Sequence, residues 1–466
     1  MSSEYSEGAP SACHDPYLRC AFFGAAQTVT GIRRACVLSH SPQGCDQLVN
    51  TAFGWQQTDY LATKSLCSKL CEDEIVHGGE ATLAKVIEDA RAFSVSAVFV
   101  LTACGPEMVG DDIVAVCQEM AADVPFQLVP IECAGFRGTQ YDGIDIALHG
   151  LLNQLVENPG EPMDKIPDSV ILIAPHASAN PSWPGDLSWV EDILERFGLT
   201  VLASLTHGTG LEQLRDIGRA QYSLMLTHDC GYRTETLLAD RWDIRPLLPT
   251  SALNRSQRLP LPVGFSNTGR WLQRLGQVLD KEDLAQKMVV QGEQFAVEQL
   301  RRQGLPYEFF NGAQVAILAD ATLAVPLLGM LAEDLECEPV AVGIRSRAPE
   351  LHALVRDECD RVAISPRIET GVGVYETAQI LSAAKPDVII GSNIERHLAE
   401  DLGIPYVLRV VNPVARFRLT NREYFGYHGF LNLMEIMQND WWDTFRSKKR
   451  HNRAHWLDGR GEGVEP

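Results

Sequence analysis

The strongest constraint on the fold is a recurrence of short apolar runs separated by stretches with helical period. Residues 97–102, 170–174, 201–204, 223–226, 315–319, 339–344 and 388–390 are rich in Val, Ile, Leu and Ala. None shows the in–out alternation of a strand with one wet face. Runs of this kind are buried on both sides, as in parallel sheets covered by helices. Between them lie helix-period stretches such as 81–92, 189–197 and 377–384. Strand–helix alternation over this length predicts an α/β fold. The expected architecture is three Rossmann-like doubly wound parallel-sheet domains.

The chain has 466 residues, too many for one compact core. The expected division is 1–160, 161–305 with connecting helices, 306–440, and a tail 441–466. Residues 157–169 are polar with three prolines and read as a linker. A long helical stretch is expected over 268–303. The tail combines Trp441, Trp442 and Trp456 with basic residues. That mixture fits an interface with a partner; a C-terminal helix packed on its own domain is the alternative.

Net charge is −21, from 40 Lys+Arg against 61 Asp+Glu. A nucleic-acid binder should carry a basic patch, and anionic membranes would repel this balance. No apolar run reaches the ~18 residues of a membrane helix. Residues 1–10 are polar and acidic, unlike a secretory signal, so a cytoplasmic location is expected. In that reducing setting twelve cysteines are metal ligands or buried thiols rather than stable disulfides.

Ligands in doubly wound sheets bind at the carboxyl ends of strands. Cys104, Asp229, Cys230, Asp320, Gly391, Ser392 and Asn393 all follow predicted strands. Three cysteines have distinctive neighbours. Cys20 lies in Arg19-Cys20-Ala21-Phe22-Phe23-Gly24-Ala25. Cys45 closes His40-Ser41-Pro42-Gln43-Gly44-Cys45. Cys104 opens a segment ending Gly110-Asp111-Asp112. Gly24, Gly44 and Gly105 would let backbone approach a bulky cluster, with N–H groups available to sulfides. Spacings of 25 and 59 residues, with no CxxC, exclude a local zinc knuckle. Three thiolates cannot complete a four-Cys site, so a second chain or another ligand is implied.

These segments, with Ile75-Val76-His77-Gly78-Gly79, resemble component 1 of nitrogenase and its relatives. The likeness extends over nearly the whole chain and is strongest from Cys20 to Gly138. It implies that Cys20, Cys45 and Cys104 hold half of a bridging 8Fe-7S iron–sulfur cluster. Three cysteines of a related α subunit would supply the other half. One departure stands out. Where a nitrogenase β subunit has a Ser that can join the oxidised cluster, this chain has Gly135, before Phe136. Cys133, in the same segment, is expected to be structural.

An α subunit should also hold a catalytic iron–sulfur cofactor, through a Cys in the second unit and a His near the end. Cys230 stands near the first position. In Tyr424-Phe425-Gly426-Tyr427-His428-Gly429, the second position falls on Phe425, which cannot bind metal, and His428 should face elsewhere. The segments 262–265 and 411–418 also look β-like. A β-type (K-like) subunit is therefore expected, with the α subunit as the weaker assignment. Gly371-Val372-Gly373 is no dinucleotide fingerprint, and there is no Walker A sequence. Asp111 and Asp112 are expected to cap the next helix. His176 and His207 read as polar loop residues.

The resemblance implies an oxidoreductase subunit. Electrons would arrive from a homodimeric ATP-dependent iron protein, rest on the shared cluster, and pass to a cofactor in the α subunit of an α2β2 heterotetramer. The chain lacks a long N-terminal extension and also resembles the methylthio-alkane reductase branch, which cleaves C–S bonds in sulfur metabolism. Alternatives are a nitrogenase β subunit, a scaffold for nitrogenase cofactor assembly, and a tetrapyrrole reductase subunit.

Overall fold

The computed structural model describes residues 18–56, 64–156, 164–173, 181–248, 259–303, 310–348, 351–411 and 420–457, with side chains omitted at 52–56 and 445–457. His176, residues 157–163 of the expected linker, and the side chain of Trp456 fall outside the described set.

Three parallel sheets form the frame. The first contains β1 (Ala35–His40), β2 (Lys64–Cys67), β3 (Ala97–Thr102) and β4 (Gln127–Ile131), in the order β2-β1-β3-β4. The second contains β5 (Ser169–Ile173), β6 (Thr200–Leu205), β7 (Tyr222–Met225) and β8 (Arg245–Pro246), in the order β6-β5-β7-β8. The third contains β9 (Gln314–Ala319), β10 (Glu338–Ile344), β11 (Arg367–Thr370), β12 (Val388–Gly391) and β13 (Tyr406–Arg409), in the order β11-β10-β9-β12-β13. Every pairing between neighbouring strands is parallel. In each sheet the first strand lies inside and the chain winds outward both ways. The expected α/β doubly wound class is what the structure has. Each winding reversal leaves a crevice at the strand ends, and the first lies between β1 and β3.

The apolar runs are buried because helices cover both faces. β1, β3 and β5 are buried along their whole length. One core joins the second and third sheets, and another joins the first and second. Lining the second core, helix Ala21–Thr30 meets helix Gln140–Leu155 at backbone distance. A Cβ on Gly24 would lie 1.8 Å from the Gln140 carbonyl oxygen, and one on Gly143 1.9 Å from that of Ala21. Gly24 therefore serves helix contact, which corrects its expected part in approaching a cluster.

One further expectation changes. The stretch 268–303 is two helices, Phe265–Val278 and Glu282–Gln303. Asp280 adopts a left-handed φ of 53° between them, and an acidic turn residue tolerates that geometry. Trp441 belongs to helix Gly426–Leu457 and stacks on Tyr406 of β13, with ring centroids 3.8 Å apart. Trp442 is left 40% exposed.

Candidate functional site

The crevice between β1 and β3 receives the Cys45 and Cys104 segments. Each of the three cysteines stands in the first turn of a helix. Cys20 is the N-cap of helix Ala21–Thr30, Cys45 is third in helix Gln43–Gln56, and Cys104 opens helix Cys104–Val109. Backbone N–H groups at helix starts lack intrahelical partners and are available to sulfur.

Cys20 is carried into place by the two-helix contact. Its strand-like bridge to Thr139 and the Ala21 N–H bond to the Gly138 carbonyl (3.0 Å) lock it beside residues 135–138. Cys104 reaches the same spot from β3. The meeting point is Gly135: a Cβ there would lie 2.9 Å from Cys104 Sγ and 3.3 Å from Cys20 Sγ. The two sulfurs can be no farther apart than those distances together. At the position where the resemblance expects Ser, sulfur takes the place of a side chain.

Glu107 holds this arrangement. Its carboxylate accepts the Ala134 N–H at 2.9 Å and pairs with Arg137 Nε at 2.6 Å. It also accepts the Thr102 hydroxyl. That bond network ties the 134–137 turn to the Cys104 helix, and the Glu107 hydrogen bond raises the Arg137 guanidinium above its ordinary range. Glu107 sits inside a motif read from sequence, but its role depends on a turn 27 residues away.

Cys45 packs, like Cys20, against the core shared by the first two sheets, and its N–H bonds to the Pro42 carbonyl at 3.2 Å. The structure thus brings Cys20 and Cys104 together and places Cys45 in the first turn of the helix after the neighbouring strand. Among the described residues, no three His, Cys, Asp or Glu side chains converge as a self-sufficient metal site. Half-exposed thiols around a space that a Cβ would fill suit a bulky thiolate-bound group. Cys133 is fully buried beside the pair. Burial pushes its thiol well above the usual range, and its sulfur contacts the Thr102 carbonyl at 3.5 Å.

Asp112 caps the helix Ile113–Met120 by accepting the Ala115 N–H at 2.8 Å. Asp111 does not share that role. It turns inward to His40, at 2.9 Å.

Hydrogen bonds to Asp229 link the strand ends of the second and third sheets. Asp229 accepts the N–H groups of Ala321 (2.7 Å) and Thr322 (2.9 Å), and the hydroxyls of Thr322 and Ser346. Cys230 is buried there, its thiol raised well above the usual range by burial. His428 is exposed and stacks on Phe295, with centroids 4.3 Å apart. Phe425 lies in the apolar core. A cavity of about 320 Å³ beside β6 is lined by His207, Glu191 and Ser204 among others, but by none of the three cysteines.

Asp320, bonded to the Tyr141 hydroxyl, is fully buried and pushed up to about 8 by desolvation and by nearby Asp229. The folded state then keeps a proton that the unfolded chain releases above pH ~4. Stability is expected to fall as pH rises from ~4 to ~8, by up to ~1.4 kcal/mol per pH unit. Asp320→Asn should remove that slope. Urea midpoints at pH 5.5 and 7.5 test this; equal slopes in both proteins would refute the protonated carboxyl.

A parallel-sheet α/β protein with two thiols paired at a strand-end crevice is the class that fold and site define. The chain belongs to the nitrogenase component 1 type oxidoreductase family, which matches residues 20–441. A nitrogenase iron-molybdenum cofactor biosynthesis protein NifE from Methanococcus maripaludis is 24% identical, over 90% of this chain and 81% of that protein. A nitrogenase molybdenum-iron protein beta chain from the same species is 25% identical, over 93% of this chain and 96% of the relative. The solved structure of nitrogenase Cp1 at pH 6.5 superposes with a TM-score of 0.76 at 18% identity, over 96% of this chain and 95% of that one. No described helix is long and apolar enough to cross a membrane.

Proposed function

We propose that the chain is the β-type subunit of a nitrogenase-like reductase, in which Cys20, Cys45 and Cys104 hold one half of an iron–sulfur cluster shared with an α subunit. The observation that carries this is the meeting of the Cys20 and Cys104 sulfurs over Gly135. Such a cluster supplies stored electrons close to a reduction site. This chain's residues do the holding: Glu107 fixes the turn at 134–137, and the contacts of Gly24 with Gln140 and of Gly143 with Ala21 fix Cys20.

The surface around the cysteines supports a partner. Val76, Met108 and Phe136 are 73%, 76% and 59% exposed, on or beside the segments that carry the site. Large apolar side chains grouped at a surface mark an interaction face. A covering α subunit would bury them and bring the missing ligands. The hydrogen bonds at Asp229 support placing the catalytic cofactor in that partner. An ATP-dependent iron protein would deliver the electrons, and small methylthio-alkanes are the substrate class to screen first.

The NifE likeness favours a second reading, a cofactor-assembly scaffold with the same half-site and no turnover. The test is anaerobic co-purification with the α partner, followed by iron, acid-labile sulfide and EPR measurement. About eight irons per αβ pair beyond any cofactor are expected, together with iron-protein-dependent turnover of an organic sulfur substrate. A loaded pair without turnover, which passes a cluster to another protein, would favour the scaffold. A pair without iron would refute both readings.

A further inference from the structure

We infer that His40 and Asp111 are positioning residues, a buried dyad that fixes the Cys45 loop against the Cys104 helix. The inference rests on the shared-cluster reading above. His40 ends β1, five residues before Cys45, and Asp111 lies just beyond helix Cys104–Val109. Their side chains are 0% and 3% exposed, with His40 Nε2 2.9 Å from Asp111 Oδ2.

The other arms of the dyad tie it to the segments around the first crevice. Asp111 Oδ1 accepts the Gly79 N–H at 2.9 Å. His40 Nδ1 lies 3.2 Å from Ser68 Oγ, and that hydroxyl oxygen accepts the N–H of Ser41, where the Cys45 loop begins, at 3.0 Å. The His40 carbonyl accepts the N–H of Ala103, next to Cys104, at 3.1 Å. The tautomer with the proton on Nε2 satisfies both contacts, Nε2 donating to Asp111 Oδ2 and Nδ1 accepting from Ser68 Oγ. Burial holds the ring below the ordinary imidazole range, against the pull of Asp111.

Gly79 closes the pocket. A Cβ there would lie 2.8 Å from Asp111 Oδ2 and 3.0 Å from His40 Cε1. A buried polar network is costly unless its members are satisfied, and satisfied networks rigidify what they join. Here they join the two strand-end loops flanking the first crevice. Groups that orient metal ligands typically change metal affinity by about 10- to 100-fold when removed.

The test uses Asp111→Ala, Asp111→Asn and Gly79→Ala, each as the metal-free chain and as the co-purified αβ pair. In the metal-free chain, amide exchange over 41–45 and 78–80 should accelerate at least about tenfold in Asp111→Ala, while 169–173 stays unchanged. In the pair, the cluster EPR line shape should change, and chelator removal of iron should accelerate at least about tenfold. Asn, which can still accept from Gly79, should restore most of both. Gly79→Ala, which presses on the dyad without removing it, should act like Asp111→Ala and covers the case in which Ala does not fold. Unchanged exchange would overturn the dyad's hold on the loops. Faster exchange with wild-type EPR and iron release would overturn its role toward the cluster. A wild-type pair without iron would instead overturn the shared-cluster reading, and the cluster role with it, which the metal-free exchange data separate from failure of the dyad.

Discussion

Cys104→Ala is expected to strip at least about half of the shared-cluster iron from the αβ pair while leaving the chain folded. Cys104 is half-exposed at the start of a short helix and has no place in the main cores. Losing its side chain should change stability by no more than about 0.5 kcal/mol, as for surface sites without special packing. Its sulfur is nevertheless one of the two that meet over Gly135. Cys133 makes the opposite control. It is fully buried, packs in the core, and contacts the Thr102 carbonyl. Cys133→Ala should retain the iron and cost about 1–2 kcal/mol in cavity and lost contacts. Iron per pair and melting temperature, measured for both variants, separate the roles. Full iron in Cys104→Ala, or loss of iron only in Cys133→Ala, would remove Cys104 from the ligand set.

The sequence was most legible where one rule governed. A strand buried on both faces must be an unbroken apolar run, and 97–102 is such a run and coincides with β3. The strands that escaped notice obey other constraints. β1 is buried but ends in Ser39 and His40, whose side chains bond to Asp46 and to Asp111. β4 contains Pro130, which an edge position tolerates. β2, β11 and β13 are edge strands with exposed or half-buried residues and no clean apolar signal.

The candidate site was legible as a cysteine pattern, whereas the hydrogen bonds around it were not. Asp111 and Asp112 are chemically identical neighbours. Only the fold sends one to a helix end and the other to His40, 71 residues away. Gly135 carried a signal as a departure from the expected Ser, and the structure gives that glycine a physical reason in the two sulfurs beside it. Glu107 lies in the segment from Cys104 to Asp112, but nothing local indicates that its partners are Ala134 and Arg137.

Gly143→Val is expected to disrupt the first sheet unit and, through it, the cysteine pair. Helices Ala21–Thr30 and Gln140–Leu155 touch through backbone at two reciprocal points, Gly24 against Gln140 and Gly143 against Ala21. A Cβ at 143 would lie 1.9 Å from a carbonyl oxygen, and a backbone atom cannot rotate away as a side-chain tip can. The helices must separate, opening a contact that Phe22, Ile144, Ala147 and Leu148 share in one apolar core. Overpacking inside a core typically costs about 1–3 kcal/mol, and a backbone collision belongs at or above the top of that range. The separation also carries Cys20 away from Gly135, because Cys20 immediately precedes the displaced helix. Gly150→Ala, on the same helix, would meet only side-chain atoms, the nearest being Ile131 Cγ1 at 3.3 Å, and should be mild. Limited proteolysis and thermal melting of the metal-free chains should therefore show a large loss for Gly143→Val and little for Gly150→Ala. In the αβ pair, Gly143→Val should lose iron as severely as Cys104→Ala, because the thiols remain while their convergence does not. Wild-type melting and iron in Gly143→Val would mean that helix contact does not set the position of Cys20.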